Sequence, residues 1–284
     1  MNDWYQQERF RPFSMLHERI GDHRTGALLV HGFTGTPDEM RPLAQVLTDL
    51  GIDAHAMLLR GMGPEIGQLG QMTAEIWKDS AVEHWREHVG QYDRTILIGF
   101  SMGGAVALLQ AAVHPPDLLV LLAPHVRMAD RRSVVLPLVK HFRKELAPFE
   151  KTDFSDPGTL DWFRRTMPGL DVSDPAVQES LRTGSGMSLA MLDQLRRIGI
   201  EGERAMASLQ VPTVIIQGHQ DTVTLPGDTR RLVGKTRKLI AYHEIAGNHM
   251  LPFDAFPSWL AVRDLITRAI VTEALAVTGV ESAR

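Results

Sequence analysis

Residues 99–104, Gly99-Phe100-Ser101-Met102-Gly103-Gly104, constrain this chain more than any other stretch. They lie between a β-branched run, Thr95-Ile96-Leu97-Ile98, and a helix-forming one, Ala105-Val106-Ala107-Leu108-Leu109. Strand, sharp turn and helix are the context in which a G-x-S-x-G pentapeptide makes a nucleophile elbow. A serine hydroxyl is a weak nucleophile until a tight turn lifts it out of a sheet toward a base. Gly99 and Gly103 are expected to let strand and helix pack closely around a strained backbone at Ser101.

The neighbouring sequence supplies the rest of a parallel sheet. Short apolar strands alternate with longer amphipathic helices, the pattern of βαβ units. Ala27-Leu28-Leu29-Val30 reads as a buried strand that leads through His31-Gly32-Phe33-Thr34-Gly35 into a helix. Thr36 is placed to cap that helix, Pro37 to occupy its first position and Glu39 to complete a capping box. A second strand is expected over Asp53–Met57. The helix near Thr73–Val89 puts Trp77, Ala81 and Trp85 on one face. The elbow strand and its helix follow, then a Pro115-Pro116 stop and the strand Leu118–Leu122.

After Ala123-Pro124 the character changes. Residues from about 125 to 209 show no convincing strand, only helix-like pieces broken by Pro137, Pro148, Pro157, Pro168 and Pro175. Strand patterns return at Val211–Ile216 and Lys238–His243, and a helix-like segment follows Pro257. At 284 residues and 44% hydrophobic composition the chain can bury one large core. The expected organisation is an α/β core, 1–124 and 210–284, carrying a helical cap at 125–209 above the carboxyl ends of the strands.

Open α/β sheets bind ligands at those ends. Partners for Ser101 should therefore follow later strands, in the order acid, then histidine. Val211–Ile216 runs into Gln217-Gly218-His219-Gln220-Asp221, and the last strand ends near Ile245, before Ala246-Gly247-Asn248-His249-Met250. His249 is thus the expected general base and Asp221 the acid that orients it. The oxyanion that forms when Ser101 attacks a carbonyl needs backbone N–H donors, here Met102 and Phe33.

Together these segments resemble the bacterial carboxylesterase and monoacylglycerol lipase branch of the α/β-hydrolase superfamily, in register over nearly the whole chain. The resemblance implies an eight-stranded-type core, a small cap, no cofactor and hydrolysis of uncharged carboxylic esters. It makes Ser101, Asp221 and His249 a triad, with Phe33 and Met102 as oxyanion donors. Arg60-Gly61-Met62-Gly63 departs from the R-G-H-G-like loop common in such proteins. Short to medium acyl esters, monoacylglycerols among them, are the expected small-molecule substrates. The same triad also serves thioester or carbon–carbon bond hydrolysis and acyl transfer, and the same fold can act as a ligand-binding sensor.

Other residues compete for these roles. Asp228 and Asp254 are the reserve acids. His219 and His243 are the rival bases, one close in sequence to the acid and one inside a strand pattern. His31 is expected to hold the oxyanion loop, and His84 and His88, four residues apart, to lie on a solvated helix face rather than bind metal. Met102, Met187, Met191 and Met250 fit either core filling or a pliable acyl pocket. The apolar stretch Val134–Phe142 fits either an acyl channel or the cap's own core.

Composition excludes several classes. A formal net charge of -4 without basic excess argues against nucleic acid. The absence of cysteine excludes disulfides and thiolate chemistry. No run approaches the roughly 20 apolar residues of a membrane span, so stable membrane insertion is not expected. The polar start lacks the apolar stretch of a secretory signal, which makes a cytoplasmic location the expectation. Nothing in the pattern specifies an oligomeric state.

Overall fold

Seven strands make the main sheet. They are β1 (Phe13–Met15), β2 (Thr25–Val30), β3 (Asp53–Met57), β4 (Arg94–Phe100), β5 (Leu118–Leu122), β8 (Thr213–Gly218) and β9 (Leu239–Ile245), in the order β1-β3-β2-β4-β5-β8-β9. The structure, a computed structural model, describes residues 5–17, 24–140, 145–146, 149, 152–166, 171–184 and 187–281. It divides into two units, Met1–Ala129 with Arg196–Arg284, and Asp130–Leu195. The sequence limits of 125 and 209 for the insertion lie outside those of the smaller unit.

Every pairing in the main sheet is parallel except that of β1 with β3. The central strands carry apolar residues without alternation because both faces are covered. Ala27, Leu29, Ile96, Ile98, Val120 and Ile216 meet Leu43 and Leu47 of the helix Arg41–Asp49 and Val262 and Ile266 of the helix Trp259–Glu281. Intervening residues such as Leu28 and Leu97 point to the other face and are fully buried. Helix Met102–Val113 contacts β2, β4 and β5, and helix Ala74–His84 packs on it. The fold is that of an α/β-hydrolase, with seven described strands where the resemblance implied an eight-stranded-type core.

Several local expectations shift for physical reasons. Strand β8 begins at Thr213 rather than Val211, and Pro212, which has no N–H for the ladder, contributes its carbonyl to Leu119 N–H at 2.9 Å. Thr73 caps its helix by accepting the Ile76 N–H, and Trp77, Ala81 and Trp85 are all buried. That helix gives way to a π-turn over Trp85–Val89. The capping box at Thr36 does not form: a single 3-10 turn, Pro37–Met40, precedes the α-helix, and the Thr36 side chain accepts no capping bond.

The smaller unit has its own apolar centre, Phe154, Phe163 and Val172, with Phe149 and Leu160 packed against it. Pro157 and Pro175 open helices (Pro157–Thr166 and Pro175–Gly184), where a missing N–H is harmless. Asp156 and Asp174 precede them and accept the Thr159 and Ala176 N–H groups at 2.7 and 2.8 Å. Two short strands unread in the sequence, β6 (Glu145–Leu146) and β7 (Met187–Ser188), pair antiparallel. Within Val134–Phe142 only Leu136 is buried among the described residues, whereas Val134 and Leu138 are exposed, so this stretch is not the unit's core. Phe142 lies outside the described residues, as does the side chain of Met187.

Glycine at the elbow is a packing requirement. A Cβ on Gly103 would collide with the Val30 and His31 carbonyl oxygens, and one on Gly99 would lie 2.5 Å from the Gly103 carbonyl oxygen. These neighbours are backbone and cannot step aside. Gly103→Ala is therefore expected to destabilise the protein by about 3 kcal/mol, measured by urea unfolding. A variant within about 0.5 kcal/mol of wild type would show that the helix can move off β2.

Candidate active site

The sheet register brings five strand ends to one level: Val30 pairs with Gly99, Phe100 with Leu122, Leu122 with Ile216, and Gly218 with Ile245. The segments that follow carry the candidate residues. Ser101 comes directly after β4, with φ 53 and ψ -121. Among the described residues, Ser101 and Ala123 are the non-glycine positions with positive φ. Such a backbone costs about 1–3 kcal/mol and persists only where its surroundings over-determine it. Here they do: Ser101 N–H donates to Leu122 O, and Ser101 O accepts from Gly104 and His125 N–H, each at 2.9 Å.

Ser101 Oγ lies 3.0 Å from His249 Nε2, and His249 Nδ1 lies 2.8 Å from Asp221 Oδ2. All three residues are buried. Burial alone would raise the Asp221 carboxyl, but hydrogen bonds from His249 and Thr224 hold it below the ordinary aspartate value. An ionised Asp221 accepts Nδ1–H and leaves Nε2 as the ring's free acceptor, facing the serine hydroxyl. Phe100 packs its ring 5.0 Å from the imidazole and fixes the plane.

Asp221 is held by more donors than the sequence reading anticipated. Oδ1 accepts the Val223 and Thr224 N–H groups at 2.8 and 2.9 Å. Oδ2 accepts from Thr224 Oγ1 at 2.7 Å and from Gln217 Nε2 at 3.0 Å. Gln217 cannot flip its amide, because Nε2 also donates to the Thr224 carbonyl oxygen at 3.1 Å and a flipped Oε1 would face acceptors alone, while Oε1 accepts the Thr229 hydroxyl at 2.6 Å. Two signals were present: a polar residue closing an apolar strand run, Val-Ile-Ile-Gln, and a threonine three residues after a turn aspartate.

The alternatives take other places. His219 is exposed and its Nδ1 pairs with Ile245 O at 2.9 Å, and His243 sits within β9. Asp228 pairs with Arg231 at 3.3 Å, and Asp254 is exposed. His84 and His88 stand beside each other, with His88 stacked on buried His55 at 5.5 Å. Among the described residues no group of three or more such side chains is arranged to hold a metal ion. Met102, Met191 and Met250 are buried, and Met62, at the position of the departure from R-G-H-G, is wholly buried.

The His31–Gly35 turn presents the other candidate donor. His31 is fully buried, with Nδ1–H donated to Gly32 O at 2.8 Å and Nε2 accepting Leu59 N–H at 3.0 Å. Gly35 N–H also reaches Gly32 O, at 3.0 Å. A trans peptide is planar, so holding this carbonyl aims the Phe33 N–H the opposite way. Met102 N–H opens its helix and has no acceptor within it. Among the described residues neither N–H donates to a protein group.

Burial pushes His31 down to about 4 from 6.5, against the opposing effect of its bond to Gly32 O. Between those values the unfolded chain takes up a proton that the folded protein refuses. The stabilisation from neutral His31 is thus complete above pH 6.5 and lost as pH falls toward 4. We expect urea unfolding at pH 7.5 and 4.5 to differ by about 3 kcal/mol more in wild type than in His31→Gln. Equal pH dependence in both would contradict a neutral His31 in the folded protein.

Known proteins share this architecture. The chain is 28% identical over 204 residues to a thermostable monoacylglycerol lipase of Bacillus sp. (strain H-257), covering 72% of this chain and 73% of that protein. A solved chain from work on LipS and LipT, two metagenome-derived lipolytic enzymes, superposes with TM-score 0.66 at 20% identity, covering 92% of this chain and 98% of the other. The Paleococcus ferrophilus monoacylglycerol lipase gives TM-score 0.60 at 17% identity over 92% and 98%. The family model for serine aminopeptidase S33 matches residues 21–254. The chain belongs to that family, within the α/β-hydrolase superfamily.

Proposed function

We propose that this protein is a serine carboxylic-ester hydrolase acting through an acyl-enzyme. The observation that carries the reading is the continuous chain Ser101 Oγ–His249 Nε2, His249 Nδ1–Asp221 Oδ2. Ser101 attacks the ester carbonyl carbon as His249 Nε2 takes the hydroxyl proton, and Asp221 stabilises the resulting imidazolium. The carbonyl oxygen becomes an oxyanion and receives hydrogen bonds from the Phe33 and Met102 N–H groups. Collapse expels the alcohol, which takes the proton from His249. Water then gives a proton to His249 and its oxygen to the acyl carbon; the acyl–Oγ bond breaks, the acid leaves, and His249 returns the proton to Ser101 Oγ.

Neutral short to medium acyl esters, monoacylglycerols included, are the proposed substrates, supported by the likeness to monoacylglycerol lipases over most of the chain. The site needs no cofactor for this sequence of steps. The described helices include none long and apolar enough to cross a membrane.

Initial rates on p-nitrophenyl esters from acetate to palmitate, beside aminoacyl p-nitroanilides, test the reading. Ester turnover with an optimum at short or medium chains is expected. Anilide turnover without ester turnover would assign the site to peptide bonds instead, the activity that the family description carries.

A further inference from the structure

Glu39 is a titratable group next to the site for which the mechanism has no use. Its carboxyl group, expected in the absent capping box, reaches under the His31–Gly35 turn, where Oε2 accepts the Gly32 N–H at 3.2 Å. A Cβ on Gly35 would collide with both carboxyl oxygens, so the turn closes onto Glu39 at its far end as well. Two consecutive peptides are therefore held from different sides. His31 and Gly35 fix the Gly32 carbonyl, and Glu39 fixes the amide one residue earlier.

We propose that Glu39 is a positioning residue for the oxyanion loop, holding the His31–Gly32 peptide so that the next peptide keeps Phe33 N–H aimed at the reacting oxygen. The proposal rests on Phe33 acting as an oxyanion donor. Without the Glu39 acceptor, a glycine-flanked turn is free to rotate this peptide away, because Gly32 has no Cβ to restrict it. A donor displaced by even a fraction of an ångström loses most of its transition-state benefit. The effect belongs in kcat, since the hydrogen bond strengthens as charge develops on the oxygen.

Charge gives the proposal a second readout. Burial raises Glu39 to about 7; the Gly32 N–H opposes this and Asp38 adds to it. Asp38 is itself met by Arg9 at 4.0 Å and Arg41 at 3.0 Å. Tyr5 and neutral His31 are the other titratable groups facing this corner. Protonated Glu39 accepts the Gly32 N–H without charge. Once ionised, it places a negative charge one peptide behind the donor and opposes the oxyanion. Relative to an uncharged residue at this position, turnover is accordingly expected to fall as pH rises through 7.

The test is kcat and KM for p-nitrophenyl butyrate from pH 6 to 9 with wild type, Glu39→Gln and Glu39→Ala. Glutamine keeps the acceptor and never ionises. It should match wild type at pH 6 and exceed it by about 3-fold or more at pH 9. Alanine should lose about 10-fold in kcat at pH 6, and less at pH 9 where it also removes the charge, while KM stays within 2-fold. Superimposable pH profiles for wild type and Glu39→Gln would overturn the proposal, and this variant decides the matter if Glu39→Ala does not fold. Ser101-dependent turnover indifferent to Glu39 overturns this inference alone, whereas ester turnover that survives loss of Ser101 overturns it together with the mechanism.

Discussion

Ser101→Ala is expected to lower kcat for p-nitrophenyl butyrate by about ten-thousandfold or more while leaving the fold intact. In the proposed mechanism the hydroxyl is the atom that bonds to the acyl carbon: Ser101 Oγ faces His249 Nε2 at 3.0 Å on a turn that presents this residue. Alanine inherits the positive φ and the backbone bonds to Leu122, Gly104 and His125. Stability should therefore change by less than about 1 kcal/mol. A small residual rate is expected, because bound ester still meets the Phe33 and Met102 N–H donors. A variant retaining a tenth of wild-type kcat would place the nucleophile elsewhere.

Asp221→Asn is the second large effect, an expected loss of about 10^3- to 10^4-fold in kcat. All five contacts to the Asp221 carboxylate come from donors: Val223 N–H, Thr224 N–H, the Thr224 hydroxyl, Gln217 Nε2 and His249 Nδ1. An asparagine keeps one acceptor oxygen and substitutes an NH2 for the other. With its oxygen toward the two backbone N–H groups, its NH2 confronts Gln217 and presses a donor on His249 Nδ1. The imidazole then carries its proton on Nε2 and cannot accept one from Ser101. The same clash of donors should destabilise the protein by about 1–3 kcal/mol in urea. Turnover within tenfold of wild type would mean that Asp221 does not set the tautomer.

The contrast between what was legible in the sequence and what was not follows from how locally each feature is encoded. The elbow is written in adjacent residues, and both its glycines and its strained serine lie where the pentapeptide put them. Asp221 and His249 are legible as candidates because each follows a strand end, and the sheet register brings those ends level. Strand β1 escaped notice: three residues at a sheet edge carry no period, and its pairing partner is about forty positions away. The Thr36–Glu39 spacing fits a capping box equally well in isolation. The tertiary acceptor role at Gly32 N–H is invisible until the turn is folded over it. Gln217 and Thr224 left local signs, a polar end to an apolar strand run and a threonine three residues after a turn aspartate, but neither sign says that the side chains converge on the Asp221 carboxylate or that Thr229 holds the Gln217 amide.

The central claim, a covalent acyl-enzyme on one serine, is tested most directly by intact-mass and peptide mapping after reaction with a neutral alkyl fluorophosphonate. The account predicts a single adduct, located on Ser101, that abolishes ester turnover in step with labelling and is absent from Ser101→Ala. Full labelling of another residue, or ester hydrolysis continuing on a protein quantitatively labelled at Ser101, would contradict it.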